Sequence, residues 1–273
     1  MKTLTTTLAI LLSVAAMAQT EDFKSKYERQ TRNLGFSGVG VETIIDRWEE
    51  AEPDNPEVYN ARFNFWLDKS ASLQMVVKDS KKFLGAKPSL VLKDEAGKDV
   101  NYFEETVFVD SLFAESEKAI DKAISLAPTE LRYRFNKITA MMNYEKESPD
   151  IAASELMELI DLDASGKMQW TLDSEAAAND VFLAAVSEYC YSFFKIGTPA
   201  GYEYFYSISS KMNKLYPKNA TFISNMGAYW QVYKLNDKQA QKYYKKALKL
   251  EPDNYAAAKN MKIIEASKSK KGK

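Results

Sequence analysis

The sequence predicts an all-α fold, a solenoid of stacked helical hairpins. Three observations carry that expectation: an apolar stripe of helical period that occurs four times, a proline just after each stripe, and few glycines or prolines elsewhere. The prolines are Pro53, Pro128, Pro217 and Pro252, in DRWEEAEPDN, DKAISLAPTE, KMNKLYPKN and KKALKLEPDN. Counting back twelve, nine, eight, five and two residues from each gives twenty positions, and only Ser116 and Ser209 among them are not hydrophobic. At the chain's 45% average, about nine would be apolar. The spacing is the i, i+3, i+4, i+7 stripe of an amphipathic helix. A proline disfavours helix in the residue before it and opens the next helix well.

The 273 residues, 45% hydrophobic and 27% charged, suffice for a sizeable core. Gly 10 and Pro 8 are too few for a many-turned β fold. Lys+Arg 37 against Asp+Glu 38 leaves a net charge of −1, without the basic excess of a nucleic-acid surface. Histidine is absent and cysteine occurs once, at Cys190. Serine–histidine triads, cysteine–histidine pairs, histidine-based zinc sites and an internal disulfide are thereby excluded.

The chain opens MKTLTTTLAILLSVAAMAQTEDF. Lys2, the apolar run Leu8–Ala15 and the small-residue signal Ala16-Met17-Ala18 read as a signal peptide over 1–18, cleaved after Ala18. No cysteine stands at the cleavage point, so a lipoprotein is not expected, and no later segment reads as a membrane span. The expected location is periplasmic or secreted.

After the signal, residues 19–265 divide into about five helical pairs. The stripe before Pro53 is a second helix. NPEVYNARFNFWLDKS and VDSLFAESEKAIDKAISLAP form the next pair, split by KPSLVLKDEAGKDVNYFEETVF, whose alternation and DEAG turn predict a β-hairpin-like insertion over 87–109. TELRYRFNKITAMMNYEKES pairs with DIAASELMELIDLD, and DSEAAANDVFLAAVSEYCYSFFKIG with PAGYEYFYSISSKMNKLYP, with DASGKMQWTL as linker. The last pair precedes Pro252, YAAAKNMKIIEASK is a capping helix, and 266–273 is expected to be a disordered basic tail.

The unit NATFISNMGAYWQVYKLNDKQAQKYYKKALKLEPDN resembles a tetratricopeptide (TPR) repeat: Asn225-Met226-Gly227 and Trp230 on one helix, then Ala240, Tyr244, Ala247 and Pro252. Pro217 to Pro252 spans 35 residues, against a TPR period of about 34, and the extra residue is placed in the turn KLND. The resemblance implies a concave groove lined by the first helix of each pair. Asparagine stands eight residues after three of the prolines, at Asn136, Asn225 and Asn260, and Asn60 lies beside the matching place after Pro53. An amide offers donor and acceptor to the backbone of an extended peptide. The groove residues so implied are Asn60, Asn64, Arg132, Asn136, Thr139, Ser224 and Asn225. The implied role is an exported scaffold or adaptor that binds a protein or peptide, without catalysis or cofactor, within a cell-envelope complex.

Other constellations are weaker. Asp161, Asp163, Ser165 and Gly166 match half of a calcium loop, but the twelfth position is Leu172 rather than a bidentate acid. Cys190, in VFLAAVSEYCYSFF, reads as a core residue. The alternative function is carbohydrate binding or hydrolysis at the insertion, which would need Asp94, Asp99, Tyr102 and Glu105 to converge.

Overall fold

A computed structural model describes residues 22–177 and 179–271. The signal-peptide expectation over 1–18 lies outside them. Ten helices form five antiparallel pairs: α1 (Phe23–Leu34) with α2 (Val41–Ala51), α3 (Pro56–Ser70) with α4 (Asp110–Leu126), α5 (Leu131–Glu145) with α6 (Asp150–Ala164), α7 (Asn179–Ile196) with α8 (Pro199–Leu215), and α9 (Ala220–Val232) with α10 (Asp237–Leu250). α11 (Tyr255–Lys271) caps the last pair, burying Ala257 and Ile264 against Tyr244 and Ala247. The helix continues to Lys271, past residue 265 where the sequence predicted a disordered tail. No glycine or proline interrupts Ala266–Lys271, so nothing in the backbone stops it earlier.

One joint recurs at all four prolines. α2, α4, α8 and α10 each end two residues before the proline. The next residue, Glu52, Ala127, Tyr216 or Glu251, donates its N–H to the carbonyl four back, on Trp48, Ala123, Met212 or Ala247. Its own carbonyl accepts from the N–H three residues on, in Asn55, Glu130, Asn219 and Asn254, at 3.0–3.1 Å. Those four residues then cap the following helix, each side chain accepting from a first-turn N–H. The chain thus reverses with its terminal backbone groups satisfied.

The stripe positions twelve, eight and five before the prolines are buried in every repeat, including Ser116 and Ser209. Their small hydroxyls sit where helices approach closely, and Ser116 satisfies itself on the Phe113 carbonyl at 2.6 Å. The position two before the proline is less buried than the stripe implied: Ala51, Leu215 and Leu250 are exposed. Each is the last residue of its helix, beyond the reach of the facing helix. Cys190 is fully buried, and burial pushes its thiol up to about 12.

The insertion is larger than 87–109. It begins directly after α3 and contains β1 (Ala71–Lys78), β2 (Leu90–Lys93) and β3 (Asp99–Phe108), antiparallel in the order β1-β3-β2. The predicted hairpin is β2–β3, closed by Asp94, whose carboxylate accepts from the N–H groups of Ala96 and Lys98. One face turns Phe103 toward Phe83. The other leaves Leu73, Met75, Val77, Leu90 and Leu92 exposed.

A second short hairpin, β4 (Thr171–Leu172) with β5 (Glu175–Ala176), replaces the helical start predicted from Asp173. Asp173 and Ser174 adopt φ of 53° and 68°. The buried Glu130 carboxylate holds them, accepting from the N–H groups of Asp173 (2.9 Å) and Ser174 (3.0 Å) and from the Thr171 hydroxyl (3.2 Å). That tertiary anchor outweighs the helix propensity of SEAAA.

In the last pair Gly227 of α9 faces the ring of Tyr244 on α10. A Cβ at Gly227 would meet that ring at 2.6 Å. Gly227→Ala is expected to destabilise the C-terminal repeat by about 1–3 kcal/mol, read as a lower denaturant midpoint by Trp230 fluorescence. Tyr244→Leu in the same background should recover part of the loss.

Candidate functional site

The first helices lie side by side, and the polar groups that join them come largely from the predicted groove set. Asn136 Nδ2 of α5 donates to Asn60 Oδ1 of α3 at 3.0 Å. Arg132 pairs with Glu57 of α3, which also accepts from the Tyr133 hydroxyl at 2.8 Å. Arg132 Nε lies 3.0 Å from Asp173 Oδ1 at the β4–β5 turn. Burial opposes charge on Arg132, but Glu57 outweighs it and holds the guanidinium pKa above its ordinary value. Thr139 Oγ1 meets the Tyr189 hydroxyl of α7 at 3.1 Å, and that hydroxyl donates to the Phe135 carbonyl at 2.9 Å.

The structure therefore brings Asn60, Arg132, Asn136 and Thr139 into one row across α3, α5 and α7. Asn64 lies beside the Tyr27 hydroxyl of α1, one pair earlier. Asn225 is half-buried on α9, two pairs further on. Two expectations need correction. Ser224 is 3% exposed and belongs to the interior of α9 rather than to a groove wall. Asn60 is 7% exposed, and its carbonyl already serves Asn136. On α5, Asn136, Thr139 and Asn143 fall at i, i+3 and i+7, one helical face, and Thr139 and Asn143 are exposed.

That face leads to a cavity which sequence reasoning did not foresee. Its volume is about 470 Å³, and it lies between β3, the Phe83–Ser89 loop and the C-terminal ends of α5 and α7. Phe83, Phe103, Phe108, Met142 and Ile196 supply its apolar walls, with Asn143 and Ser192 as neutral polar groups. The loop is seated directly on α7: a Cβ at Gly85, where φ is 78°, would collide with the Lys195 carbonyl oxygen. Only the length of the unassigned stretch 71–86 signalled this wall.

Glu105 crosses from the sheet to α5. It pairs with Lys146 and lies 3.3 Å from Lys78 Nζ, with its own side chain 10% exposed. Burial works against its charge, but the two lysines prevail and hold its carboxyl below the usual range. For Glu130 burial is likewise outweighed, by the backbone N–H groups of Ser174, Asp173 and Arg132.

The residues of the alternative reading do not converge. Asp94 closes its turn, and Asp99 pairs with Lys93 at 2.7 Å. Glu105 stands six residues from Asp99 along an extended strand, about 20 Å away. Tyr102 points to the opposite face of that strand. The calcium half-motif is also engaged: Asp161 pairs with Lys211 at 2.6 Å, and Asp163 accepts from Trp170 Nε1 and the Tyr216 hydroxyl. Among the described residues no group of three or more Cys, Asp and Glu side chains could hold a metal ion. None of their helices is long and apolar enough to cross a membrane.

The repeated joint, the paired helices and the close Gly227–Tyr244 packing match the TPR expectation element by element. The fold is TPR-like. Among solved structures the chain is similar to YrrB, a TPR protein with an unusual peptide-binding site, at 14% identity over 93% of this chain and 88% of that one, with a TM-score of 0.41. It is similar to the MamA protein at 14% identity over 84% of this chain and 90% of that one, with a TM-score of 0.42. No protein-family model matches the chain, and no curated protein matches it.

Glu105 and Glu130 generate a pH prediction. A carboxyl whose folded pKa is depressed contributes stability that is present above its unfolded pKa, about 4.3, and lost as pH falls through the folded value. Stability should therefore fall between about pH 5 and pH 3. Glu130→Gln should lose about 1–3 kcal/mol at neutral pH and show a shallower acid dependence by urea unfolding.

Proposed function

We propose that this chain is an exported protein–protein interaction module that holds a peptide or partner protein along the row of first helices, without catalysing a reaction. The observation that supports this most is the polar face of α5. Asn136, Thr139 and Asn143 lie beside Tyr189 and Ser192 of α7, and the row ends in a cavity with apolar walls. Amide and hydroxyl groups on a rigid helix can meet the donors and acceptors of an extended backbone, while an adjoining apolar pocket accepts a side chain. The inter-helix bonds from Asn60 and Arg132 hold that surface in place rather than recognise the ligand.

The signal-like residues 1–18 support export to the periplasm or beyond, and so a partner within the cell envelope. The partner is a protein or peptide, with no nucleic acid, metal or cofactor in the reading.

The test is crosslinking capture from the native envelope, comparing the wild-type chain with an Asn136→Ala/Asn143→Ala double variant. Capture should fall by roughly tenfold, the equivalent of about 1.4 kcal/mol, with unchanged helical circular dichroism. Undiminished capture by the folded variant would contradict the groove reading.

A further inference from the structure

β3 is flanked by β1 along most of its length but by β2 only along its first part. The β1 pairing runs from Asn101 to Phe108, whereas β2 pairs with Asp99 through Tyr102 and no further. From Phe103 onward the second edge of β3 has no strand beside it.

The phase of the ladder shows which main-chain groups this leaves open. The Tyr102 carbonyl accepts from the Ser89 N–H at 2.8 Å, so Tyr102 directs its backbone groups toward the β2 side. In a strand the N–H and C=O of alternate residues point the same way. Glu104 and Thr106 therefore direct their N–H and C=O groups away from β1. Among the described residues these four groups have no backbone partner. They border the cavity between the sheet, α5 and α7, whose lining includes Glu104 and Thr106.

Charge around the opening favours one kind of occupant. Glu105 is neutralised by Lys78 and Lys146, leaving Glu104 against Lys87 and Lys195. Lys87 and Lys195 are exposed and have no acidic partner among the described residues. The rim is thus net positive, while Phe83, Phe103 and Met142 make the interior apolar.

We propose that the cavity is a strand-addition site: an extended segment of a partner protein, alternating apolar and acidic residues, pairs with β3 at Glu104 and Thr106. Its apolar side chains enter the cavity and its acidic ones meet Lys87 and Lys195. The main-chain groups provide up to four ladder hydrogen bonds, and alternate side chains provide selectivity. Glu104 and Thr106 lie two residues apart, about 7 Å, so a peptide of some five residues covers them both. This rests on the peptide-groove reading and specifies how the ligand lies in it.

The experiment uses the mature full-length chain and a synthetic mixture of blocked nonapeptides that alternate Val, Ile, Leu or Phe with Asp or Glu. Residue-resolved amide hydrogen exchange is measured with and without saturating peptide. The expected result is slowing at Glu104 and Thr106 by about tenfold or more, with little change at Phe103 and Glu105, whose amides face β1. The same peptides N-methylated at alternate residues should bind at least about tenfold more weakly. Thr106→Pro removes one donor at an open edge, where proline is tolerated. Lys87→Glu/Lys195→Glu is a second variant on exposed side chains, and both should weaken binding.

No binding by the mixture overturns the proposal, as does binding without slowing at Glu104 and Thr106. In the latter case, slowing confined to α5 and α7 leaves the groove reading intact. Concentration-dependent slowing without peptide would mean that a second copy covers the edge, and would also overturn it.

Discussion

The structure depends on how four of the five second helices, α2, α4, α8 and α10, stop. A helix that ends beside another must satisfy its last carbonyls and its successor's first N–H groups within a few residues. Here the solution repeats at Pro53, Pro128, Pro217 and Pro252: one N–H turned back into the ending helix, one carbonyl bridging the turn, and a capping side chain from Asn55, Glu130, Asn219 or Asn254. The joint fixes where the next helix starts. It thereby brings the buried positions twelve, eight and five residues before the proline against their neighbours. Glu130 departs from the other three, which are asparagines. Its longer carboxylate caps α5 and also reaches Thr171, Asp173 and Ser174, so one joint is tied to the β4–β5 hairpin.

Two of these joints set where α3 and α5 begin, and α7, which follows α6 through the β4–β5 hairpin, continues the row. The row is laced by polar contacts in addition to the apolar core it shares: Asn136 to Asn60, Arg132 and Tyr133 to Glu57, Thr139 to Tyr189. Half-buried hydrogen bonds of this kind add modest net stability but leave costly unpaired groups if the helices slide. They fix register and keep the remaining polar face of α5 in one orientation. The sheet then leans on that row through Glu105 and Lys146 and through Phe108 against Tyr144 of α5, and on α4 through Phe108 against Phe113.

Much of the helical frame was legible because proline punctuation and a 3.6-residue stripe are strong local signals. The helical pairs and the cap follow largely from them, the β2–β3 hairpin from alternation and the DEAG turn, and the burial of Cys190 from its apolar neighbours. β1 was missed although ASLQMVVK alternates, with apolar residues at 71, 73, 75 and 77: the strand follows α3 directly, without a turn signal, and Leu73, Met75 and Val77 face outward rather than into a core. The β4–β5 hairpin was hidden because its cause, the Glu130 carboxylate, lies more than forty residues away. Among the predicted groove residues, Asn136 bonds across to Asn60, whereas Ser224 is buried in α9, since facing inward or outward depends on helix rotation within the pair. The cavity itself could not be read, because its walls come from four segments, β3, the Phe83–Ser89 loop, α5 and α7, that meet only in the fold.

The central claim is that ligand recognition belongs to the first-helix face of α5 and α7 rather than to the outer helices. Photocrosslinking in the native envelope tests it most directly, with a photoreactive side chain placed singly at Thr139, Asn143 or Ser192, and at Ser154 on the exposed face of α6. Adducts to a common partner from the first three positions, with little from Ser154, are the predicted result. Equal yields at Ser154, or none from the α5–α7 face, would contradict the account.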